Sequence, residues 1–332
     1  MTSGGRCRIL CIVNNRRFSF CLAAVAALAV LRATAMGAAA SDAGRRLETA
    51  GPRISGPVSV SLQNEIDAAV DRGRTWLLAV QNPDGSWGET NRLAVTAVAA
   101  LALSHRAAPN AVAAAANAAR WMLSPAATNA MHAGGPGFEA LVWREIALDA
   151  AGLNDSRRKA ALASQVVHRS ATNGTTPFAA MLLREALAPR SVFLPLPVAA
   201  TGAPPAALLF ADCATAMLPP AAPPPGQTCQ NVLARLAAQW GANGPPIDAV
   251  FGRARQYWLY ARFINRVGGG TLADAAGRVL DWRNDLARTL VASQEMDGRR
   301  GGGYWQSEEP GADWAAQPLA ETSFALLALD EL

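Results

Sequence analysis

Lysine is almost missing from this chain: Lys159 is the only one among 332 residues, and the other basic residues are arginines. Nor is there a dense basic run, so the sequence lacks the charged face that a nucleic-acid partner requires. Acidic residues are absent from the first forty positions, which carry five of the thirty basic residues. Without that stretch 25 basic residues face 25 acidic ones, and the formal charge of +5 falls to zero. The basic balance therefore belongs to the N-terminal stretch alone.

Long apolar runs are also scarce. The one at Phe18–Leu31 is fourteen residues, too short to cross a bilayer comfortably. It follows Arg6, Arg8, Arg16 and Arg17 and precedes the small-residue sites Ala33-Thr34-Ala35 and Ala38-Ala39-Ala40. This is the layout of a secretory signal peptide over residues 1–40. The mature protein is then expected to be exported, periplasmic or extracellular, with no stable membrane span after cleavage. A retained signal anchor is the competing reading. Residues 41–60 read as a flexible N-terminal segment.

Cysteine and histidine are too few for most metal chemistry. Cys7, Cys11 and Cys21 leave with the signal peptide, and the remaining pair, Cys213 and Cys229, flanks a proline-rich stretch. In an exported protein such a pair is expected to form a disulfide, contributing roughly 3 kcal/mol by closing the loop. A catalytic thiol is the alternative, but no histidine neighbours either residue. His105, His132 and His168 are scattered, none with a second ligand at metal spacing, so no metal and no cofactor is expected. Gly301-Gly302-Gly303 precedes no helix and does not suit a phosphate loop.

What is present is helical periodicity. Ile66, Ala69, Val70, Gly73, Trp76, Leu77 and Val80 follow the three-four spacing of one buried helix face, and Asn82-Pro83-Asp84-Gly85 stops that helix. A largely apolar helix at 93–104 and a third from Asn110, a good N-cap, complete the regular part. Further helices are expected near 138–151, 156–168, 177–188, 229–240, 247–265, 272–293 and 318–331, with no strand. The proline-rich insertion 189–226 reads as mostly irregular, with a short helix near 206–217. The result is an all-α domain over 61–332, built of five to six helical hairpins. Such hairpins bury their apolar faces only by stacking on one another.

A turn device occurs twice: Gln294, Asp297 and Gly298 repeat the spacing of Gln81, Asp84 and Gly85 after 213 residues. Trp87 and Trp305 follow, and Thr96 and Thr322 open the next helices. These patches resemble the QW repeats of the terpenoid cyclase and prenyltransferase superfamily, the squalene cyclase-like proteins. The resemblance covers about sixty residues in two patches. It implies an α/α toroid with inner helices around a central cavity. It further implies a structural role for both motifs: each Gln ties its turn to the end of an adjacent outer helix, with the Trp stacked on it.

The chemistry of that superfamily is not repeated. The D-x-D-D cluster of squalene-hopene-type cyclases is absent, and Asp212-Cys213-Ala214-Thr215-Ala216 is only faintly similar to the acid segment of oxidosqualene cyclases. A strong acid needs a neighbour to stabilise its ionised form, and none is near in sequence; Asp212 reads as a loop-bordering residue. Polar and aromatic residues near the starts of expected inner helices remain: Glu139, Trp143, Arg144, Asp248, Arg255, Tyr257, Trp258 and Glu321. They suit either a polar, ring-shaped ligand such as a glycan or ion pairs along a wet channel. Three functions stay open: an exported toroid binding a glycan or isoprenoid-like molecule, an enzyme (polysaccharide lyase, hydrolase or degenerate terpene cyclase), and a protein-interaction scaffold.

Overall fold

The computed structural model describes residues 57–332 except 106–107, 128–136, 154, 174–175, 188–204, 218–228, 242–243, 249–250 and 308–312, and only the backbone of 165–173. These residues belong to one compact unit, Gly51–Leu332. The signal-peptide reading, His132, the His168 side chain and most of the proline-rich stretch lie outside the described residues.

The architecture is all-α. Its helices are α1 (Val60–Ala79), α2 (Arg92–Ser104), α3 (Pro109–Met122), α4 (Phe138–Ala150), α5 (Ser156–Asn173), α6 (Pro177–Leu187), α7 (Pro205–Ala216), α8 (Cys229–Gln239), α9 (Arg253–Val267), α10 (Trp282–Ala292) and α11 (Pro318–Asp330). None of the described helices is long and apolar enough to cross a membrane.

Two kinds of helix are present. Helices α2, α9 and α11 are buried nearly all round, from Leu93 to Leu103, Ala254 to Ala261 and Ala320 to Leu329. Helices α1, α3 and α8 bury one stripe, as amphipathic surface helices do. Six helices contact one another in a closed order: α2 packs on α4, α4 on α6, α6 on α7, α7 on α9, α9 on α11, and α11 on α2. The outer helices lie against these: α1 touches α3, α10 and α11, and α5 touches α4 and α6.

Local chemistry shifts several expected boundaries. Helix α3 starts at Pro109 with Ala108 as its cap, because proline suits a first turn whose N–H groups have no helical partner. Asn110 instead accepts from the adjacent Ala111 N at 2.9 Å. Helix α9 begins only at Arg253. Gly252 precedes it at φ 75°, where a Cβ would lie 2.7 Å from the Ala315 carbonyl. An unexpected antiparallel ribbon pairs β1 (Glu295–Met296) with β2 (Gly303–Tyr304).

The two turn motifs are the same device in three dimensions. Trp87 Nε1 donates to Leu77 O at 2.8 Å, and Thr96 Oγ1 accepts from Trp87 N at 2.9 Å and donates to Trp87 O. Trp305 Nε1 donates to Leu290 O at 2.7 Å, and Thr322 Oγ1 serves Trp305 N and O in the same way. Gln81 Nε2 reaches Ala114 O on α3 at 3.0 Å, and Gln294 Nε2 reaches Ala69 O on α1 at 2.9 Å. Both carbonyls sit in mid-helix rather than at the expected helix ends. Arg72 Nε donates to Gln294 Oε1 at 2.7 Å, fixing which end of that amide faces α1. Asp297 accepts from the Arg299 and Arg300 N–H groups, which hold its carboxyl below the usual range, and from Trp76 Nε1.

The glycine equivalence is different from the one the spacing suggests. Gly85, at φ 92°, lies against α3, and a Cβ there would meet Asn117 O at 2.8 Å. Its counterpart is Gly302, at φ 84°, where a Cβ would lie 2.6 Å from Arg72 O on α1. Gly298 has open space around it. The extra residues thus fall between Asp297 and Gly302, where they form the turn of the ribbon.

The expected disulfide is not formed: Cys213 and Cys229 are both free thiols. Cys213 is fully buried on α7, and burial pushes its thiol well up. Cys229, opening α8, donates its Sγ–H to Ala216 O at 3.4 Å. Asp212 borders no loop; it sits within α7 and pairs with Arg235 of α8 at 2.6 Å.

Candidate functional site

Helices α4, α6, α9 and α11 carry stripes at three- and four-residue spacing that fall into three tiers. The first is charged. Glu139 sits in the first turn of α4, where a carboxylate suits the positive end of the helix dipole. Its Oε1 accepts from Arg255 Nη1 of α9 at 3.1 Å and from Trp143 Nε1 at 3.2 Å. The other Arg255 Nη2 pairs with Asp313, just before α11, and its Nε donates to Phe251 O at 2.8 Å. Arg255 is only 2% exposed and lies over the rings of Phe178, Phe210 and Phe251. Burial raises the Glu139 pKa more than Arg255 lowers it, and Asp313 adds to the rise. Glu321 faces the same helix start: its two oxygens accept from Arg253 N and Ala254 N, both at 2.7 Å. Burial outweighs those bonds and lifts its pKa to about 6.

The second tier is aromatic and filled. Trp143, Trp258, Phe178 and Phe324 pack with ring centroids 5.5–6.4 Å apart, and all are buried. Edge and tilted pairings of this kind add to plain area burial. Among the described residues these four rings are in direct contact with one another.

The third tier is open. A hollow of about 270 Å³ lies toward the C-terminal ends of the same helices. Leu101, Trp143, Ile146, Trp258 and Leu327 form its apolar wall, and His105, Glu185, Arg262, Asp330 and Glu331 its polar edge. Arg262 lies over Trp258 at 5.1 Å, pairs with Glu185 and approaches Glu331 at 3.5 Å. Its Nε is buried and bonds to no described protein atom. His105 Nδ1 stands 3.3 Å from Asp330 Oδ2.

The structure thus brings together Glu139, Trp143, Arg255, Trp258 and Glu321, and leaves three expected residues apart. Arg144 turns away and pairs with the buried Glu145 at 2.8 Å. Tyr257 is buried but two positions from Arg255, and so on another face of α9. Asp248 is held through its backbone, whose N–H and C=O both bond the buried Gln256 amide. Sequence reasoning missed Asp313 and, apart from Trp143 and Trp258, the third tier. The tier was signalled by the same stripes: Ile146 lies three residues after Trp143, and Arg262 four after Trp258.

Among the described residues no group of His, Cys, Asp and Glu could hold a metal ion. No family model, no curated protein and no solved structure matches this chain.

Proposed function

We propose that this is an exported α/α-toroid protein of the squalene cyclase-like kind that binds a small molecule in the hollow at the C-terminal ends of its inner helices. The toroid reading is supported by the order of packing: six helices each touch the next, and the last, α11, touches the first, α2. The two clasps support it too, since the second, near the end of the chain, grips α1 at its beginning.

The observation that carries the binding reading is the hollow itself. At about 270 Å³ it lies just below the range for sites of drug-sized ligands, about 300–1,000 Å³. Two tryptophans wall it, and an arginine with a buried, unpaired Nε–H stands at its edge. A buried donor without a protein partner invites an acceptor from a ligand. The test is a thermal-shift screen of the protein against glycans and isoprenoid alcohols, because a ligand that binds only the folded state raises the unfolding temperature. A shift that disappears when Ile146→Trp fills the hollow supports the reading. No shift with either class removes it and leaves the scaffold.

An enzyme reading draws on the first tier, where Glu139 and Asp313 share Arg255 and burial raises the Glu139 pKa. Its weakness is that Arg255 is closed in by two carboxylates and three phenylalanines. Release of reducing ends or unsaturated products from polysaccharides, lost in Glu139→Gln, would favour it.

A further inference from the structure

Resting on the hollow as the binding site, we infer that its ligand is an uncharged, polyhydroxylated ring of single-hexose size. The charges at the edge are already closed among themselves. Glu185 is engaged by Arg262 and by Arg266 at 3.6 Å. Glu331 is engaged by Arg262 and by Asn265 Nδ2 at 3.4 Å. Asp330 faces His105 at 3.3 Å, an ion pair only when the imidazole is protonated. An anion would enter against three carboxylates, and a cation would have to compete with Arg262 and Arg266 for Glu185 and Glu331 or with His105 for Asp330. A neutral ligand disturbs none of these contacts.

A neutral hydroxyl costs far less and serves both sides of the edge. It donates to a carboxylate, whose two oxygens have room for several bonds, and accepts from the buried Arg262 Nε–H. The walls add a second requirement. Leu101, Trp143, Ile146, Trp258 and Leu327 line the hollow with apolar atoms that suit the C–H groups of a sugar ring, while the Trp258 face itself is covered by Arg262. Volume adds a third: about 270 Å³ holds one such ring and excludes a long isoprenoid chain.

Calorimetry on the full chain tests this with glucose, galactose and mannose as neutral probes, glucuronate and glucosamine as charged counterparts, and geraniol as the apolar probe. The expected result is binding of at least one neutral hexose, tenfold or more tighter than either charged counterpart. A ring held in the hollow beside Trp143 and Trp258 also changes the intrinsic fluorescence. Ile146→Trp, or Ile146→Phe should the larger residue prevent folding, abolishes both signals. A charged counterpart binding as tightly as the hexoses overturns the inference but leaves the hollow as a site, provided the Ile146 variants remove that binding. Geraniol binding alone, lost in the same variants, does likewise. No binding by any probe overturns both.

Discussion

Gln294, in the turn after α10, donates its amide N–H to the carbonyl of Ala69 in the first helix, 225 residues earlier in the chain, at 2.9 Å. The same amide accepts from Arg72 Nε at 2.7 Å. Gln294→Ala removes both bonds and leaves a partly buried guanidinium N–H unmade, so a loss of about 1–3 kcal/mol is expected. Gln81→Ala leaves no comparable arginine behind and is expected to cost less. Urea unfolding of the two variants side by side gives the ranking.

The glycine correspondence makes a sharper test. Gly302→Ala sets a Cβ 2.6 Å from the Arg72 carbonyl at a left-handed φ of 84°, and about 1–3 kcal/mol of strain follows. Gly298→Ala enters open space and is expected to stay within about 0.5 kcal/mol of the parent. Equal effects in thermal unfolding would return Gly298 to the role its spacing suggests.

Arg255 is the shared counter-ion of Glu139 and Asp313. Arg255→Met leaves both carboxylates largely buried without it, and a loss of about 3–5 kcal/mol is expected. Adding Glu139→Gln and Asp313→Asn restores part of that loss, since neutral amides cost less to bury. A double-mutant cycle by denaturant unfolding measures the coupling.

Glu321 gives the pH dependence its sign. Its pKa is raised in the folded state to about 6 from an ordinary 4.5, so the folded protein holds this proton more tightly than the unfolded chain does. The stabilisation is complete below pH 4.5 and is lost as pH rises through 6, amounting to about 2 kcal/mol. The stability difference between the parent and Glu321→Gln therefore shrinks in the parent's disfavour across that window. Unfolding both proteins at pH 4 and pH 7 reads it; an unchanged difference removes Glu321 as the source.

Cys213 and Cys229 are both free thiols. Alkylation without reductant, followed by peptide mapping, is expected to label Cys229 in the folded state and Cys213 only after unfolding, because Cys213 is fully buried. Recovery of a peptide joining the two cysteines would contradict the structure.

Much of the helical pattern was legible because burial imposes a three-four period, and α2, α4, α6 and α11 fall within a residue or so of their expected bounds. The clasps were legible because Gln, Asp, Gly and Trp each do a job no other residue does at that turn. The disulfide was not, since composition near Cys213 and Cys229 says nothing of where the thiols point. The hollow was missed for a related reason. Glu139, Arg255 and Glu321 lie near helix starts, where the resemblance directs attention, and the open space lies one or two turns further along the same stripes. Charged residues at those starts bond to one another and to helix N–H groups.

The reach of Gln294, Asp297 and Trp305 back to α1 has a consequence for synthesis. The first helix leaves the ribosome well over two hundred residues ahead of the side chains that cover it. The part of its apolar stripe around Gly73, which packs on Trp305 and Leu326, stays uncovered until translation is nearly complete. A nascent chain shorter than about 300 residues thus exposes apolar surface of α1 that the finished fold buries, which makes it a natural client for a chaperone that delays compaction.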